Sequence, residues 1–449
     1  MSVKVSRILH AGYVFECEGT QIAFDTIFEN PFSRNCYAFP DVEFDQAQIR
    51  NLKFSAVFIS HYHDDHCSLE SLNLLDRETP IYMYCVFEEI FTWIQELGFK
   101  NVYSLTLNKP VNIGAFEVIP RRALDAEVDS LFQIKAAGMN ILNVVDSWID
   151  YDTLELLKNE SPWDMILWPF QTMRELEVIA PTRFPAALQE LPPEWIEQLQ
   201  ALDPRFVVPS SCQFKQESWS WYNNAFFPIS YQFFQEEVQQ ALPSAKVIRL
   251  NPSVSILLGK QGIEPSAPLP WVKPKGEQNL DYQYLPALVP PATAEIAKNF
   301  PELNAVQTQR VYKFCEEEIL QKYTTLDQLE ESFFDRPRNW RLSVFDHTGA
   351  AKHFTYSVQQ GHLQIQEEDR APLEWSTEVP LYKLFAALDL GESLTSMYVR
   401  INSMKFSAEI EKEMESVDIM EDPLVRCLFT SEFGSYQLEQ LKRIKGSWS

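Results

Sequence analysis

Histidines cluster at one point of this chain, directly after a short apolar segment. Three of its seven histidines lie in the hexapeptide HYHDDH, residues 61–66. The preceding residues, Phe54 to Ser60, are rich in β-branched and aromatic side chains and predict a short buried strand. In an open α/β sheet, ligands bind beyond the carboxyl ends of the strands. A strand that brings three imidazoles and several carboxylates to that edge predicts a metal site in an α/β fold.

The spacing within the hexapeptide predicts how its side chains divide between metal ions. His61 and His63 are two residues apart, so in an extended chain both rings lie on one side and can hold one ion. Asp65 and His66 lie where the chain turns toward a predicted helix, and they can hold a second ion. Asp64 is a candidate for a group that supports the ligands. The alternative is a surface cluster of histidines without metal.

The segment SHYHDDH resembles the HxHxDH signature of the metallo-β-lactamase fold. Two other segments fit the same resemblance. HAGYVFECEGTQIAFD (His10 to Asp25) is similar to the opening hairpin of that fold, and NILNVVD (Asn140 to Asp146) is similar to the strand that carries its bridging aspartate. The resemblance implies an αββα sandwich in which Asp146 bridges two metals.

Within this superfamily, residues 1–260 resemble the lactamase-like part of CMP-N-acetylneuraminate hydroxylase. The segments that carry this resemblance are PFSR (Pro31 to Arg34), PIYMYC (Pro80 to Cys85), DAEVDS (Asp125 to Ser130), LNVVDS (Leu142 to Ser147) and DPRFVVPSS (Asp203 to Ser211). The chain has no Rieske-type CxH…CxxH pair, so the iron–sulfur half of that enzyme is missing. An oxygenase activity would therefore have to run at the histidine cluster itself.

The chain departs from the hydrolases of this fold, which usually supply a third and a last histidine. No histidine occurs between Cys67 and Asp346. The resemblance places other residues at those positions: Asp125 with Asp129 beside it, and Ser210, Ser211 and Cys212. Two histidines with one carboxylate suit iron(II) or manganese at least as well as zinc. Di-iron hydroxylases of this fold likewise carry a carboxylate in place of one histidine.

These residues predict a dinuclear metalloenzyme with two divalent ions, either zinc or iron/manganese. The implied ligands are His61, His63 and Asp125 for the first metal, Asp65 and His66 for the second, and Asp146 between them. A hydrolase would attack a small polar or anionic metabolite with a metal-bound hydroxide, and Asp64 or Asp129 would orient the water. The alternatives are a di-iron oxygenase that activates O2 at the same site, and a non-catalytic, metal-stabilised ligand-binding protein.

Two segments supply candidate substrate contacts. Arg34 is the only cation of the irregular loop before the metal strand, and a guanidinium can bind a carboxylate or a phosphate bidentately. The alternative is an arginine that holds the loop in place. The aromatic segment from Glu217 to Tyr231, with Asn223, can wall a pocket or can be ordinary core. Ser211 and Cys212 are further candidates on the substrate side.

The net charge of −25 disfavours binding to nucleic-acid phosphates or anionic lipid. Seven cysteines without a small-scaffold spacing are typical of a reduced, cytosolic protein. The chain shows no signal-peptide pattern and no apolar run of the ~18 residues that a membrane span needs. We therefore expect a cytoplasmic protein with a small-molecule substrate, no nucleic-acid partner and no membrane insertion, and we leave homo-oligomer formation open.

A chain of 449 residues exceeds one ordinary core and predicts two domains. Residues 262–291 are rich in proline and predict a linker. The expected division is a metallo-β-lactamase-like domain over residues 1–261 and a small α+β domain over residues 292–449. The order of helices and strands in the second domain is similar to that of sterol-carrier-like modules.

Overall fold

The computed structural model describes residues 2–125, 128–184, 186–327, 329, 332–366, 372–403, 417–429 and 434–446. The strands of the N-terminal part are β1 (Ser2–Arg7), β2 (Tyr13–Cys17), β3 (Thr20–Phe24), β4 (Tyr37–Ala38), β5 (Val42–Phe44), β6 (Ala56–Ile59), β7 (Ile81–Met83), β8 (Val102–Ser104), β9 (Val111–Ile113), β10 (Phe116–Arg122), β11 (Ser130–Ala136), β12 (Met139–Asn143), β13 (Met165–Pro169), β14 (Phe206–Ser210), β15 (Phe214–Lys215), β16 (Lys246–Val247), β17 (Ser255–Gly259), β18 (Gly262–Ser266) and β19 (Val272–Pro274). Its helices are α1 (Gln46–Ile49), α2 (Leu69–Leu72), α3 (Glu88–Glu96), α4 (Tyr151–Asn159), α5 (Glu175–Ile179), α6 (Pro193–Leu202), α7 (Tyr222–Ala225) and α8 (Tyr231–Ala241).

Two large mixed sheets contain most of these strands. The first has the order β18-β17-β1-β2-β3-β6-β7-β8, and the second has the order β16-β14-β13-β12-β11-β10-β9. In the first sheet, β3, β6, β7 and β8 run parallel. In the second, β12, β13, β14 and β16 run parallel. The short strands β4 with β15 and β5 with β19 form two separate pairs.

The two sheets face each other across an apolar core, because alternate side chains of each strand point to opposite faces. Phe24 and Phe58 from the first sheet pack against Phe132 from the second, with ring centroids 5.0 and 5.9 Å apart. The neighbour Ala23 belongs instead to the outer core, which also contains Ile90 and Ile94 of α3. Helices thus cover the outer faces, and the expected αββα sandwich is present.

The segment expected to be a linker contains regular structure in its first half. Strand β18 forms a hairpin with β17, so the boundary placed after residue 261 falls inside that hairpin. Strand β19 pairs with β5. Proline is tolerated there because both strands lie at sheet edges, where a missing N–H breaks no ladder. Whether the two parts of the chain fold independently stays a prediction.

The C-terminal part is built on a five-stranded sheet with the order β22-β21-β20-β23-β24. Its strands are β20 (Arg338–Phe345), β21 (Ala351–Gln359), β22 (His362–Ile365), β23 (Trp375–Pro380) and β24 (Arg400–Ser403). Its helices are α9 (Thr293–Ala297), α10 (Ala305–Lys313), α11 (Ile319–Tyr323), α12 (Leu381–Asp389), α13 (Pro423–Phe429) and α14 (Ser435–Gly446). A π-helical turn over Phe314–Glu318 joins α10 to α11, and 3₁₀ turns cover Ser332–Asp335, Thr395–Met397 and Ile419–Glu421. This is the expected α+β composition; the likeness to sterol-carrier modules stays a prediction.

Within the part of the chain that the structure describes, none of the helices combines the length and the apolar character needed to cross a bilayer. All seven cysteines are buried free thiols.

Candidate metal centre

The strand directions bring several chain segments to one edge of the sandwich. Strands β1, β3 and β6 end at the same edge, because β2 runs antiparallel to both β1 and β3. In the second sheet, β11 starts where the antiparallel β12 ends. The residues that flank these strand ends therefore converge: His10 after β1, Asp25 after β3, the hexapeptide 61–66 after β6, Asp129 before β11 and Asp146 after β12.

His61 and His63 form the first half of the metal centre, which we call subsite one. His61 Nε2 lies 2.9 Å from His63 Nδ1 and 3.9 Å from Asp146 Oδ1. His61 is buried, whereas the edge of His63 is exposed. Two ring nitrogens this close need either one shared proton or a cation between them. The geometry thus brings these two histidines together, and their binding of one ion stays a prediction.

His10, Asp65, His66 and Asp146 form the second half, which we call subsite two. One donor atom from each residue lies within 4.8 Å of the others. His10 Nε2 is 3.0 Å from Asp65 Oδ2 and 3.1 Å from His66 Nε2, and the latter is 3.0 Å from Asp146 Oδ2. Asp146 thus turns one oxygen toward each subsite, and its role as a bridging ligand stays a prediction.

A strand-end HxHxDH loop, faced by an aspartate from the second sheet of an αββα sandwich, decides the assignment. This chain has the metallo-β-lactamase fold.

Several solved structures resemble a little more than half of this chain. A metallo-hydrolase from Ignicoccus hospitalis is 19% identical over 58% of this chain and 99% of its own, with a TM-score of 0.41. An isothiocyanate hydrolase from Delia radicum gut bacteria is 14% identical over 56% and 97%, with a TM-score of 0.42. The diiron β-hydroxylase CmlA from Streptomyces venezuelae is 14% identical over 57% and 53%, with a TM-score of 0.37.

With such identities and TM-scores below 0.5, these likenesses say nothing about the activity of this chain. No protein-family model and no curated protein sequence matches it. The closer resemblance to CMP-N-acetylneuraminate hydroxylase stays a prediction.

His10 is the functional residue that the sequence reasoning missed. The sequence pattern names His10 only as the first residue of the segment that resembles the opening hairpin. It is fully buried, and its backbone lies in the left-handed region with φ 50°. Its carbonyl accepts a hydrogen bond from the buried Arg7, whose guanidinium also donates to the Pro209 carbonyl of the second sheet at 3.1 Å. Arg7, a charged residue inside the apolar segment VSRIL, is the sequence signal that could have drawn attention to this strand end.

Two residues behind the ligands fix the orientation of the imidazoles. Asp25 Oδ2 accepts from His66 Nδ1 at 3.0 Å and from Ser60 Oγ at 2.8 Å. Because its proton is used in that bond, Ser60 Oγ accepts from His61 Nδ1 at 2.9 Å. Both rings therefore turn Nε2 toward the metal centre. Such outer partners set the tautomer and raise the basicity of histidine ligands.

Strained backbone accumulates around these residues. Val145, directly before the bridging Asp146, has φ 64°, and Asp25 has φ 40°. A β-branched residue with positive φ is a rare outlier that costs on the order of 1–3 kcal/mol. Ser211 and Cys212 after β14 are also left-handed. Strain of this kind persists where the surrounding structure fixes a functional geometry.

The two aspartates proposed from the resemblance lie in different surroundings. Asp125 is exposed, whereas the Asp129 side chain is only 17% exposed and lies in the same turn, with its N–H bonded to the Asp125 carbonyl at 2.8 Å. Asp129 Oδ1 is 3.5 Å from His61 Nδ1, and Asp129 Oδ2 accepts from Ser147 Oγ at 2.9 Å. Of the two, Asp129 is the one that lies beside His61, next to the ring nitrogen Nδ1.

The electrostatics of the site favour a bound cation. Burial and the neighbouring His66 lower the pKa of His61 to about 4, so its Nε2 is unprotonated at neutral pH. Burial would also lower the pKa of His66, but Asp146 and Asp65 outweigh it and raise that pKa well above its usual range. Burial and Asp146 raise the pKa of Asp129 to about 6. The carboxylates thus hold a proton on His66 in the absence of metal.

Unpartnered atoms also fit a metal pair. Asp146 Oδ1 and Asp129 Oδ1 are buried and have no hydrogen-bond partner among the described residues. A buried carboxylate oxygen without a partner carries a large desolvation cost. Nitrogen and oxygen donors in this number suit zinc, iron or manganese. The residues present therefore fit bound divalent metal, and the number of ions stays a prediction.

Arg34 and Asp64 pair with each other at the rim of the centre. Arg34 Nη1 donates to Asp64 Oδ2, and Nε donates to the Gly391 carbonyl at 2.7 Å. The guanidinium lies over the Tyr436 ring, 4.2 Å from its centroid. With these contacts Arg34 can hold its loop in place, which is the structural alternative for this residue. A substrate contact by Arg34 and a catalytic role for Asp64 stay predictions.

Two cavities open on either side of Asp146. One of about 360 Å³ has walls from both parts of the chain, including His63 and Glu175 from the N-terminal part and Ser393 and Thr395 from the C-terminal part. The other, of about 490 Å³, is lined by Trp148, Trp195, Arg174, Glu190 and Cys212 among others. Both are large enough for a small metabolite.

Of the remaining substrate-binding candidates, Ser211, Cys212 and Asn223, only Cys212 is among the residues that line these two cavities. Cys212 lines the larger cavity, and the neighbouring Ser211 hydroxyl is buried without a partner among the described residues. Asn223 instead accepts from the Gln216 N–H at 2.8 Å and donates to the Glu217 carbonyl at 2.9 Å. Its amide braces the aromatic loop, and a substrate contact for it stays a prediction.

Proposed function

We propose that this protein is a dinuclear metal-dependent hydrolase of a small polar or anionic metabolite. The observation that carries the proposal is the position of the Asp146 carboxylate. Its Oδ1 faces His61 of subsite one, and its Oδ2 faces His66 of subsite two. A carboxylate shared in this way serves a pair of ions rather than one. When bound, such a pair supplies an activated water molecule and polarises the bond that it attacks.

The residues of the chain would hold the metal ions, orient the histidine ligands and take up a proton. Asp25 and Ser60 keep His66 and His61 in the tautomers that bind metal. Asp129 has one oxygen bonded to Ser147 and the other unpartnered among the described residues, and we propose that it accepts a proton from water near His61. Its raised pKa, about 6, suits a group that takes up and releases a proton near neutral pH.

The larger cavity offers one cation, Arg174, among three carboxylates, so it favours a substrate that carries both charges. Arg174 lines it, and its buried Nε has no hydrogen-bond partner among the described residues. A guanidinium with unused donors can bind a carboxylate or phosphate. Trp148 and Trp195, with ring centroids 5.5 Å apart, offer an apolar wall beside it. A zwitterion with an apolar portion would match these walls.

A di-iron oxygenase is the second candidate, and Asp129 favours it. A carboxylate beside His61 and His63 gives subsite one two nitrogens and one oxygen, the donor set that non-haem iron takes in oxygenases. The fold and the cavities would serve such chemistry equally well.

Metal analysis with paired assays tests the proposal. The full-length protein, loaded separately with zinc and anaerobically with iron(II), would be assayed for hydrolysis of p-nitrophenyl esters, phosphodiesters and a lactone panel, and for O2 uptake. Hydrolysis by the zinc form that disappears in Asp146→Asn supports the hydrolase. O2 uptake by the iron form without any hydrolysis would replace it with the oxygenase. A purified protein that binds no metal under either condition would refute both.

A further inference from the structure

The metal-binding loop is held from outside by the last helix that the structure describes. Helix α14 packs against α2, the short helix that follows the hexapeptide, and against α3. Two glutamines on α14, Gln437 and Gln440, are three residues apart, so both side chains leave the same face. They are 2% and 0% exposed, and both reach the loop.

Gln437 binds the loop at both ends of its ligand cluster. Its Nε2 donates to the Tyr62 carbonyl at 2.6 Å and to the Cys67 carbonyl at 3.2 Å. Tyr62 lies between the ligands His61 and His63, and Cys67 follows directly after His66. One buried amide therefore fixes the separation between the start and the end of the loop.

Gln440 completes the start of the helix that follows the loop. Its Oε1 accepts from the Leu69 N–H at 2.7 Å, and its Nε2 donates to Ser68 Oγ at 3.0 Å. Leu69 is the first residue of α2, where a backbone N–H has no partner within the helix. Ser68 is the N-cap of the same helix. Gln440 thus ties down the point at which the chain leaves the metal centre.

Arg34 extends this support to the middle of the loop. It donates to Asp64, which lies between the ligands His63 and Asp65, and it stacks on Tyr436, the neighbour of Gln437. Helix α14 therefore holds the residues between and after the ligands at four places, directly or through Arg34: Tyr62, Asp64, Cys67 and the pair Ser68–Leu69.

We infer that α14 is a positioning element of the metal centre, and that Gln437 and Gln440 set the affinity of the loop for metal without contacting it. This inference rests on the metal site of the proposed function. A loop whose carbonyls lose these donors would keep its ligands but no longer hold them at fixed separations. Outer partners of metal ligands typically contribute ten- to a hundred-fold in metal affinity.

The test measures metal binding rather than turnover. Full-length protein would be stripped of metal and titrated with Zn²⁺ against a chromophoric chelator, and with Co²⁺ to record the visible spectrum that reports ligand geometry. The variants Gln437→Met and Gln440→Met keep a side chain of similar length but lack the amide. For both we expect about ten- to a hundred-fold weaker Zn²⁺ binding and an altered Co²⁺ spectrum. Lys442→Met, at an exposed position of the same helix, is the matched control and should bind like wild type.

Wild-type affinity and spectrum in both glutamine variants would overturn the inference. If Gln437→Met does not fold, Gln437→Asn, which keeps the amide but withdraws it by one methylene, decides in its place by the same measurements. Melting temperatures of the metal-free proteins identify a variant that is merely unstable. Failure of the wild-type protein itself to bind Zn²⁺ or Co²⁺ would instead refute the proposed function.

Discussion

The two halves of the metal centre differ in how many of their ligands the fold supplies. Subsite two has four donor residues within 4.8 Å, drawn from the ends of β1, β6 and β12. Subsite one has the pair His61 and His63 at 2.9 Å and shares Asp146, and its further carboxylate, Asp129, lies 3.5 Å from His61 Nδ1.

This difference assigns distinct roles to the halves. A closed set of four protein ligands is typical of a site that retains its metal, and three ligands with an open position are typical of a catalytic site. We expect subsite two to bind its ion more tightly, and subsite one to exchange its ion and to admit water or substrate. The choice between zinc and iron would then be made at subsite one.

The largest effect is expected for Asp146→Ala, which removes the residue common to both halves. Both metal ions should be lost, since each set of histidines loses its shared carboxylate. Elemental analysis after dialysis against metal-free buffer measures this. Retention of one full equivalent would show that one half is independent of Asp146.

His10→Ala should separate the two halves. It removes one of four ligands from subsite two and none from subsite one, so we expect the loss of one metal equivalent and retention of the other. His347→Ala, a histidine of the C-terminal part with a partly exposed side chain, is the matched control. If His10→Ala retains both ions, His10 is not a ligand and the two halves are more alike than described.

Asp25→Asn should weaken subsite two through His66. The amide would turn N–H toward His66 Nδ1, which favours the tautomer with its proton on Nε2, the atom that faces the metal. We expect about ten- to a hundred-fold weaker binding of one ion, measured by chelator competition. An equal loss of affinity at both subsites would indicate that the substitution also alters the hydrogen bond between Ser60 and His61.

The smallest effect should distinguish Asp129 from Asp125. Because Asp129 faces His61 and Asp125 is exposed, Asp129→Asn should lower the affinity of subsite one by about ten-fold or less and raise its zinc-to-iron ratio. Asp125→Asn should change neither quantity. The reverse result in side-by-side metal analyses would restore Asp125 as the ligand that the resemblance suggested.

The sequence predicted those parts of the site that are local in the chain. The hexapeptide and the apolar strand before it carry their own spacing, and Asp146 closes a recognisable strand. His10 could not be found in this way, because it meets His66 only through the sheet order β1-β2-β3-β6, which places two strands between them. A lone histidine after a strand carries no local signal of its partners.

The same limit applies to the C-terminal part. Proline in residues 262–291 suggested a linker, but edge strands accommodate proline, and β18 and β19 pair with strands of the N-terminal part. The contacts of Gln437 and Gln440 with the loop join residues that no short pattern relates. Long-range pairing of this kind depends on the packed fold rather than on neighbouring residues.

The hold of α14 on the metal loop also has a consequence for biosynthesis. Leu69 and Gln440 are separated by 371 positions, and at roughly 5–20 residues per second a ribosome needs roughly 20–75 s to make that interval. During this time the histidine loop has emerged but lacks its glutamine donors. Firm metal capture would therefore follow synthesis of the helix, and the ion available at that moment would decide which metal the protein carries.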